Sequence, residues 1–222
     1  MSHHCDFRFG TFPRIIWLRE EVVTSEQLRT AIALGREQRN TEFKGPGARS
    51  DKPFLAKVVR AVLAMANRSD GGVVVIGVDD DGESLTPTGL TQTQVATWRY
   101  DDLQSSVTNY ADPAVDMDVN VVSLDGHEFI AITVSGFSEL PILCKKDYSG
   151  ILRNGALYVR RYGKNESVEI PSHIEMREVI ERAAELVARK MVRTATRLQP
   201  YLEPSASGSA RQKFDREVED LL

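Results

Sequence analysis

Residues 71–78 read Gly-Gly-Val-Val-Val-Ile-Gly-Val. A β-branched run this continuous offers no polar side to water, so it predicts a central strand covered on both faces rather than a half-exposed one. Just before it, Phe54, Leu55, Val58, Val59, Val62, Leu63, Met65 and Ala66 recur at helical spacing over a wide face. The spacing predicts a largely buried helix, opened by Pro53 after a Ser50 or Asp51 cap and ended at Asn67. A buried helix feeding a buried strand restricts the fold to layers of helix on sheet.

The flanking elements fill in an α+β chain with a mixed sheet flanked by helices. Thr24-Ser-Glu-Gln27 has capping-box spacing and predicts a helix ending near Gly35, followed by a short strand over Thr41–Lys44. Asp79-Asp-Asp-Gly82 reads as a turn. A helix follows around Tyr100–Tyr110, then strands over Val115–Leu124 and Glu128–Val134 joined at Asp125-Gly126, a hairpin signal. Further strands are expected at Leu140–Cys144 and Ala156–Arg161. Ser172-His-Ile-Glu175 opens a long C-terminal helix that reaches Leu198 before Pro200 stops it. After a linker at Ser205–Ala210, Phe214, Val218 and Leu221 suggest a short helical tail too brief to stand alone. The expected organisation is an N-terminal extension over 1–23, one domain over 24–199, and a linker and tail over 200–222.

Several classes are disfavoured. No apolar run approaches the length of a membrane span, and Met1-Ser-His-His-Cys-Asp lacks the apolar core of a secretory signal, so a cytoplasmic protein is expected. Cys5 and Cys144 stand far apart in no metal-binding pattern, which suits reduced thiols. His3, His4 and Cys5 form no persuasive transition-metal site at a chain start. The glycines at 71, 72 and 77 match neither a P-loop nor a dinucleotide fingerprint and read as backbone turns and close packing. The net charge of −4 gives no global support to nucleic-acid binding. Its distribution does: Lys145, Lys146, Arg153, Arg160, Arg161 and Lys164 face the single acid Asp147 over 145–164, and Arg189, Lys190, Arg193 and Arg197 follow. With Tyr158 and Tyr162 interleaved, this region is the expected nucleic-acid-binding surface, although strand alternation puts Arg160 and Arg161 on opposite faces.

The motifs with the most chemistry come in one succession. Glu37 precedes Glu42-Phe-Lys44 by five residues, a helix ends in Ala66-Asn67, and Gly71-Gly72 leads through the strand to Gly77-Val-Asp79. This succession resembles the Schlafen AlbA domain family, and the likeness extends over roughly residues 20–185. The resemblance implies a mixed α/β fold associated with nucleic acid and, as in eukaryotic Schlafen proteins, a metal-dependent endoribonuclease cutting structured RNA such as tRNA. It also implies that Glu37, Glu42 and Asp79 are catalytic metal ligands with Lys44 beside them. Those nucleases use two lobes and this chain has length for one, so a homodimer or a protein partner is expected through the C-terminal helix and tail. A defence or toxin effector is the setting the resemblance suggests.

Independently of the family, carboxylate oxygens suit Mg²⁺ or Mn²⁺, which activates water and stabilises charge on a scissile phosphate. Glu42 and Lys44, two apart on a strand, share a face, and Phe43 points into the core. The same residues have plainer readings. Glu37 is then a solvated acid, Glu42 and Lys44 a same-face ion pair worth about 0–1 kcal/mol, and Asp79–Gly82 a turn. The expected ligand is nucleic acid, RNA before DNA; the alternative to a nuclease is a non-catalytic nucleic-acid-binding or assembly module.

Overall fold

The computed structural model describes residues 22–162 and 164–202. The expected extension except its last two residues, the histidines and Cys5 within it, and the linker and tail beyond 202 lie outside the described residues. Contacts divide the chain into two compact units, one ending at Val179 and the other beginning at Ile180.

In the first unit, Thr24 caps helix α1 (Ser25–Ala33) with the predicted reciprocal box: its hydroxyl accepts from Gln27 N–H at 3.2 Å, and Gln27 Oε1 accepts from Thr24 N–H at 2.8 Å. Gly35, at φ 67°, ends the turn that follows. Strand β1 (Thr41–Lys44) leads through Asp51, whose carboxylate caps Phe54 N–H at 3.2 Å, into helix α2 (Lys52–Ala66) with Pro53 in its first turn. Strand β2 (Gly72–Ile76) lies parallel to β1 in register Glu42 with Val74 and Lys44 with Ile76. The chain then forms a ribbon from β3 (Val78–Asp80) and β4 (Leu85–Pro87), a short helix α3 (Gln92–Val95), and α4 (Tyr100–Thr108).

Next come β5 (Ala111–Asp112), β6 (Met117–Leu124), β7 (His127–Val134), β8 (Leu143–Cys144), β9 (Tyr158–Arg160) and β10 (Ser167–Glu169), before helix α5 (His173–Leu202) leaves the first unit. The β6–β7 hairpin turns on Asp125 and Gly126 with φ of 51° and 82°, the left-handed pair that such a two-residue loop requires. The main sheet has the order β1-β2-β7-β6, with β2 parallel to β1 and antiparallel to β7. It is the mixed sheet expected, with the valine run in its interior.

Alternation sorts the sheet's two faces. Phe43, Val73, Val75, Phe129 and Ala131 join Val23, Leu28 and Ala31 in a core under α1. Val74, Ile76, Ile130 and Ile132, all fully buried, take the other face, which α2 covers. Helix α2 also contacts the β9–β10 ribbon and α4, and it is buried almost all round for that reason. Gly71, at φ 62°, passes so close to β7 that a Cβ would lie 2.0 Å from the Val134 carbonyl, which accounts for this glycine by packing.

Three details depart from the sequence expectations. The Asp79–Gly82 turn begins later, because Asp79 and Asp80 pair with Thr86 and Leu85 in the β3–β4 ribbon. Strands at 140–144 and 156–161 shrink to two and three residues, since each pairs only briefly with β5 or β10. Helix α5 continues two residues past Pro200; in a last turn the missing proline N–H removes one bond rather than interrupting a ladder.

Candidate functional site

The geometry of the predicted acids follows from β1. Phe43 faces the α1 core, so Glu42 and Lys44 face the side of α2 and the β9–β10 ribbon. There Glu42 is 4 % exposed, and the charge that offsets its burial comes from Arg160, at 1 % exposure the largest fully buried side chain among the described residues. Arg160 Nη1 donates to Glu42 Oε2 at 2.8 Å, and Nη2 donates to Glu37 Oε2 at 3.0 Å. The same Nη2 reaches the Gln38 and Thr41 carbonyls at 3.1 and 3.2 Å, closing the turn that enters β1. Lys44 Nζ donates to Glu42 Oε1 at 2.5 Å, and Ser167 of β10 donates its hydroxyl to Glu42 Oε2. Glu37 Oε1 accepts the Phe43 N–H at 2.7 Å. The Asn165 side-chain amide donates to the Glu37 carbonyl.

Every carboxylate oxygen of Glu37 and Glu42 therefore has a protein donor, and two acids face two cations. Burial pushes the Glu37 carboxyl up, Arg160 pulls it down and the charge on Glu42 raises it; the net direction is above the usual range. At Glu42 burial again pushes upward, but Lys44 and Arg160, with hydrogen bonds from Lys44 and Ser167, outweigh it and hold the group low.

Asp79 stands apart from this network. It is exposed on β3, accepts from Thr88 Oγ1 at 2.7 Å, and lies against Gly45, where a Cβ would come within 2.4 Å of its Oδ1. Its neighbours Asp80, at the end of β3, and Asp81, in the turn, accept the N–H groups of Gly82, Glu83 and Ser84. Among the described residues no group of three or more His, Cys, Asp or Glu is placed to hold a metal ion. As arranged, Glu37, Glu42 and Asp79 do not fit Mg²⁺ or Mn²⁺: two of them are engaged by Arg160 and the third sits outside the network.

The expected nucleic-acid surface divides similarly. Arg160 and Tyr158 are corrections to it, because both are buried. Tyr158 uses its hydroxyl to accept the Arg153 N–H at 2.9 Å. Lys145, Lys146, Arg153 and Lys164 are exposed and Arg161 is half-buried. Arg153 pairs with Glu169, Arg161 pairs with Glu166 at 3.0 Å, and Lys146 lies 5.6 Å over the Tyr110 ring. Tyr162 is 67 % exposed with the Arg39 guanidinium 5.2 Å from its ring.

Two polar residues that sequence reasoning did not place in the site belong to its frame. Ser167 had no distinguishing signal. Asn67, in sequence the helix end within the family succession, donates its amide to the Ile142 and Tyr158 carbonyls at 2.8 and 2.9 Å and accepts the Ile142 N–H at 2.8 Å, pinning β9 to the end of α2.

A mixed sheet with a buried carboxylate–guanidinium network at its edge strand defines an α+β domain, and sequence comparison names its family. A family model described as Schlafen, AlbA_2 matches residues 37–169, well over half of the chain. The chain belongs to the Schlafen AlbA_2 family, and the matched span runs from Glu37 of the acid network to Glu169 of β10. Among solved structures, the DIP2311 protein from Corynebacterium diphtheriae is similar at 19% identity and TM-score 0.45 over 69% of this chain and 27% of that one. This chain thus spans about a quarter of that protein's length. The N-terminal domain of a putative ATP-dependent DNA helicase RecG-related protein from Nitrosomonas europaea is similar at 20% identity and TM-score 0.42, covering 68% of this chain and 97% of that domain. No curated protein matches. No helix among the described residues is long and apolar enough to cross a membrane.

Proposed function

We propose that this chain is a nucleic-acid-binding domain in which Glu37 and Glu42 fasten a cationic surface to the sheet. The observation that supports this reading is the double engagement of Glu37 and Glu42 by Arg160, which ties the β9–β10 ribbon to β1. The exposed Lys145 and Lys146 after β8 and, beside the β9–β10 ribbon, exposed Lys164 and half-buried Arg161 contact backbone phosphates. Phosphate contacts of this kind fix position and carry no sequence information. Tyr162 offers an exposed ring on which an unpaired base stacks, a mode more at home with looped RNA than with duplex DNA.

A second reading, a divalent-metal endoribonuclease acting on structured RNA such as tRNA, has one observation in its favour. Gly45 leaves room for Asp79 next to Lys44, which itself bonds Glu42, so three of the four expected catalytic groups border one end of β1. That reading requires Glu37, Glu42 and Asp79 to take Mg²⁺ or Mn²⁺ in an arrangement other than the one described.

The test is labelled tRNA and single-stranded DNA incubated with the protein and Mn²⁺, Mg²⁺ or EDTA, using wild type, Lys145→Glu/Lys146→Glu and Asp79→Asn. Asp79 is exposed, so its variant leaves the fold intact. Binding without cleavage, weakened by the charge reversal, supports the first reading. Metal-dependent cleavage lost in Asp79→Asn replaces it with the second, and absence of both binding and cleavage refutes both.

A further inference from the structure

Tyr162, just past β9, is the most exposed aromatic residue among the described ones, at 67 % against 45 % for Tyr100. A ring so far out of the core has no packing to fix it, yet polar groups hold this one. Its own N–H donates to Glu175 Oε1 at 3.1 Å, which fixes the backbone that carries the ring. The Arg39 guanidinium covers one face of the ring, 5.2 Å from its centroid. Glu178, one turn along α5 from Glu175, accepts from Arg39 Nη2 at 2.5 Å and keeps the guanidinium there.

The acid network places Arg39 in its turn. In the turn from Gln38 to Thr41 the carbonyls of both end residues accept from Arg160 Nη2, at 3.1 and 3.2 Å. Asn165, three residues past Tyr162, donates to the Glu37 carbonyl and ties the two loops together. Glu37 and Glu42 therefore set, through Arg160, where Arg39 stands against the Tyr162 ring. Fastening the ribbon to the sheet does not require this, since a cation–π contact at an exposed site adds little to stability. What the arrangement provides is an aromatic face of fixed direction, open to solvent opposite Arg39. An unpaired base stacks on such a face, whereas a base within a duplex has both its faces covered by neighbours.

We propose that Tyr162, held by Arg39, Glu178 and Glu175, is a stacking platform for one unpaired purine of a looped RNA, with Arg39 as a positioning residue. This rests on the nucleic-acid reading and adds to it the base that is taken and the residues that make the ring a site. One open face admits one base. A purine covers more of the ring than a pyrimidine does and stacks more strongly, which is the source of base preference at such platforms.

The test measures binding of the full chain to an RNA hairpin with an adenine loop and to a blunt duplex of the stem sequence, with circular dichroism to verify each fold. Tyr162→Ala should weaken hairpin binding by about tenfold, the scale of one stacked base, and leave duplex binding unchanged. Tyr162→Phe should bind as wild type, because the ring and not the hydroxyl stacks. Arg39→Gln should weaken hairpin binding in the same direction. Neither Tyr162→Ala nor Arg39→Gln should alter the slope of log affinity against log salt, since neither side chain meets a phosphate. Uracils in the loop should weaken wild type and leave Tyr162→Ala where it was.

Hairpin binding undiminished in Tyr162→Ala overturns the platform and leaves the nucleic-acid reading standing; an equal loss on the duplex does the same. A salt slope lower by about one in Arg39→Gln makes that arginine a phosphate contact and overturns its positioning role. Equal binding of adenine and uracil loops by wild type overturns the choice of purine. Failure of wild type to bind either RNA removes the nucleic-acid reading and the platform together.

Discussion

Replacing Arg160 by methionine keeps the aliphatic volume and removes the guanidinium. The buried Glu42 and half-buried Glu37 carboxylates then lose donors that stood at 2.8 and 3.0 Å, and the Gln38 and Thr41 carbonyls lose theirs. Breaking a buried pair by deleting one partner costs about 3–5 kcal/mol, because the other charge stays desolvated. Set against a total stability of roughly 5–15 kcal/mol, this is a large fraction. At roughly 2–4 °C per kcal/mol for a domain of this size, the melting midpoint should fall by about 6–20 °C. Arg161→Met is the control one residue away: its ion pair with Glu166 is exposed on both sides and should contribute no more than about 1 kcal/mol. Urea unfolding followed by circular dichroism measures both. A double-mutant cycle adds the mechanism, since Arg160→Met/Glu42→Gln should cost clearly less than the sum of its parts. An Arg160→Met protein within about 1 kcal/mol of wild type, or strictly additive losses, would refute the view of Arg160 as the fastening of the domain.

Three further outcomes are expected. Glu42 is held below its ordinary value of 4.5, so its share of stability is present above that value and lost as pH falls through the lower folded one. Glu37 is raised and works in the opposite sense, its share present below 4.5 and lost as pH rises through the folded value. Urea titrations across acidic pH should show a flatter acid limb in Glu42→Gln, and a steeper one there would contradict the assignment. Asn67→Ala removes partners from two buried carbonyls and one N–H and should cost about 2–4 kcal/mol by thermal melting, at roughly 1–3 per unsatisfied group with partial relaxation. Lys145→Glu/Lys146→Glu should weaken RNA binding and lower the slope of log affinity against log salt by about 1–2; an unchanged slope would remove these lysines from the contact surface.

Local signals in the sequence located most of the fold, because capping boxes, a left-handed Asp-Gly turn and a continuous valine run each act within a few residues. The capping box at Thr24, the Asp51 cap, β1 and the β6–β7 hairpin appear where that chemistry requires. Of the candidate site, the nearness of Glu37, Glu42 and Lys44 was legible, whereas the place of Asp79 outside their network and the roles of Arg160 and Ser167 within it were not. Glu37, Glu42 and Lys44 do converge, yet their central partner Arg160 lies 118 residues beyond Glu42. In sequence, Arg160 stands beside Arg161 in a cationic stretch, and strand alternation separates their faces without saying which of the two turns inward. Nothing local distinguishes an arginine that reaches inward to a carboxylate from a neighbour held outside by Glu166. The brief strands β8 and β9 were blurred and β10 was missed for a related reason: they are fixed by Asn67 and by Glu42, not by their own periodicity.

The position of Arg160 near the end of the first unit also orders events during synthesis. All four strands of the main sheet and α2 lie within the first 134 residues, so they emerge from the ribosome before the guanidinium that offsets the charge of their buried acids. At translation rates of roughly 5–20 residues per second, the nascent sheet exists for seconds with Glu42 facing an open groove on its α2 side. A chain broken off before residue 160 lacks that counter-charge and also the β9–β10 ribbon that covers one side of α2. The first unit is therefore closed only once the ribbon that carries Arg160 and Ser167 has been made.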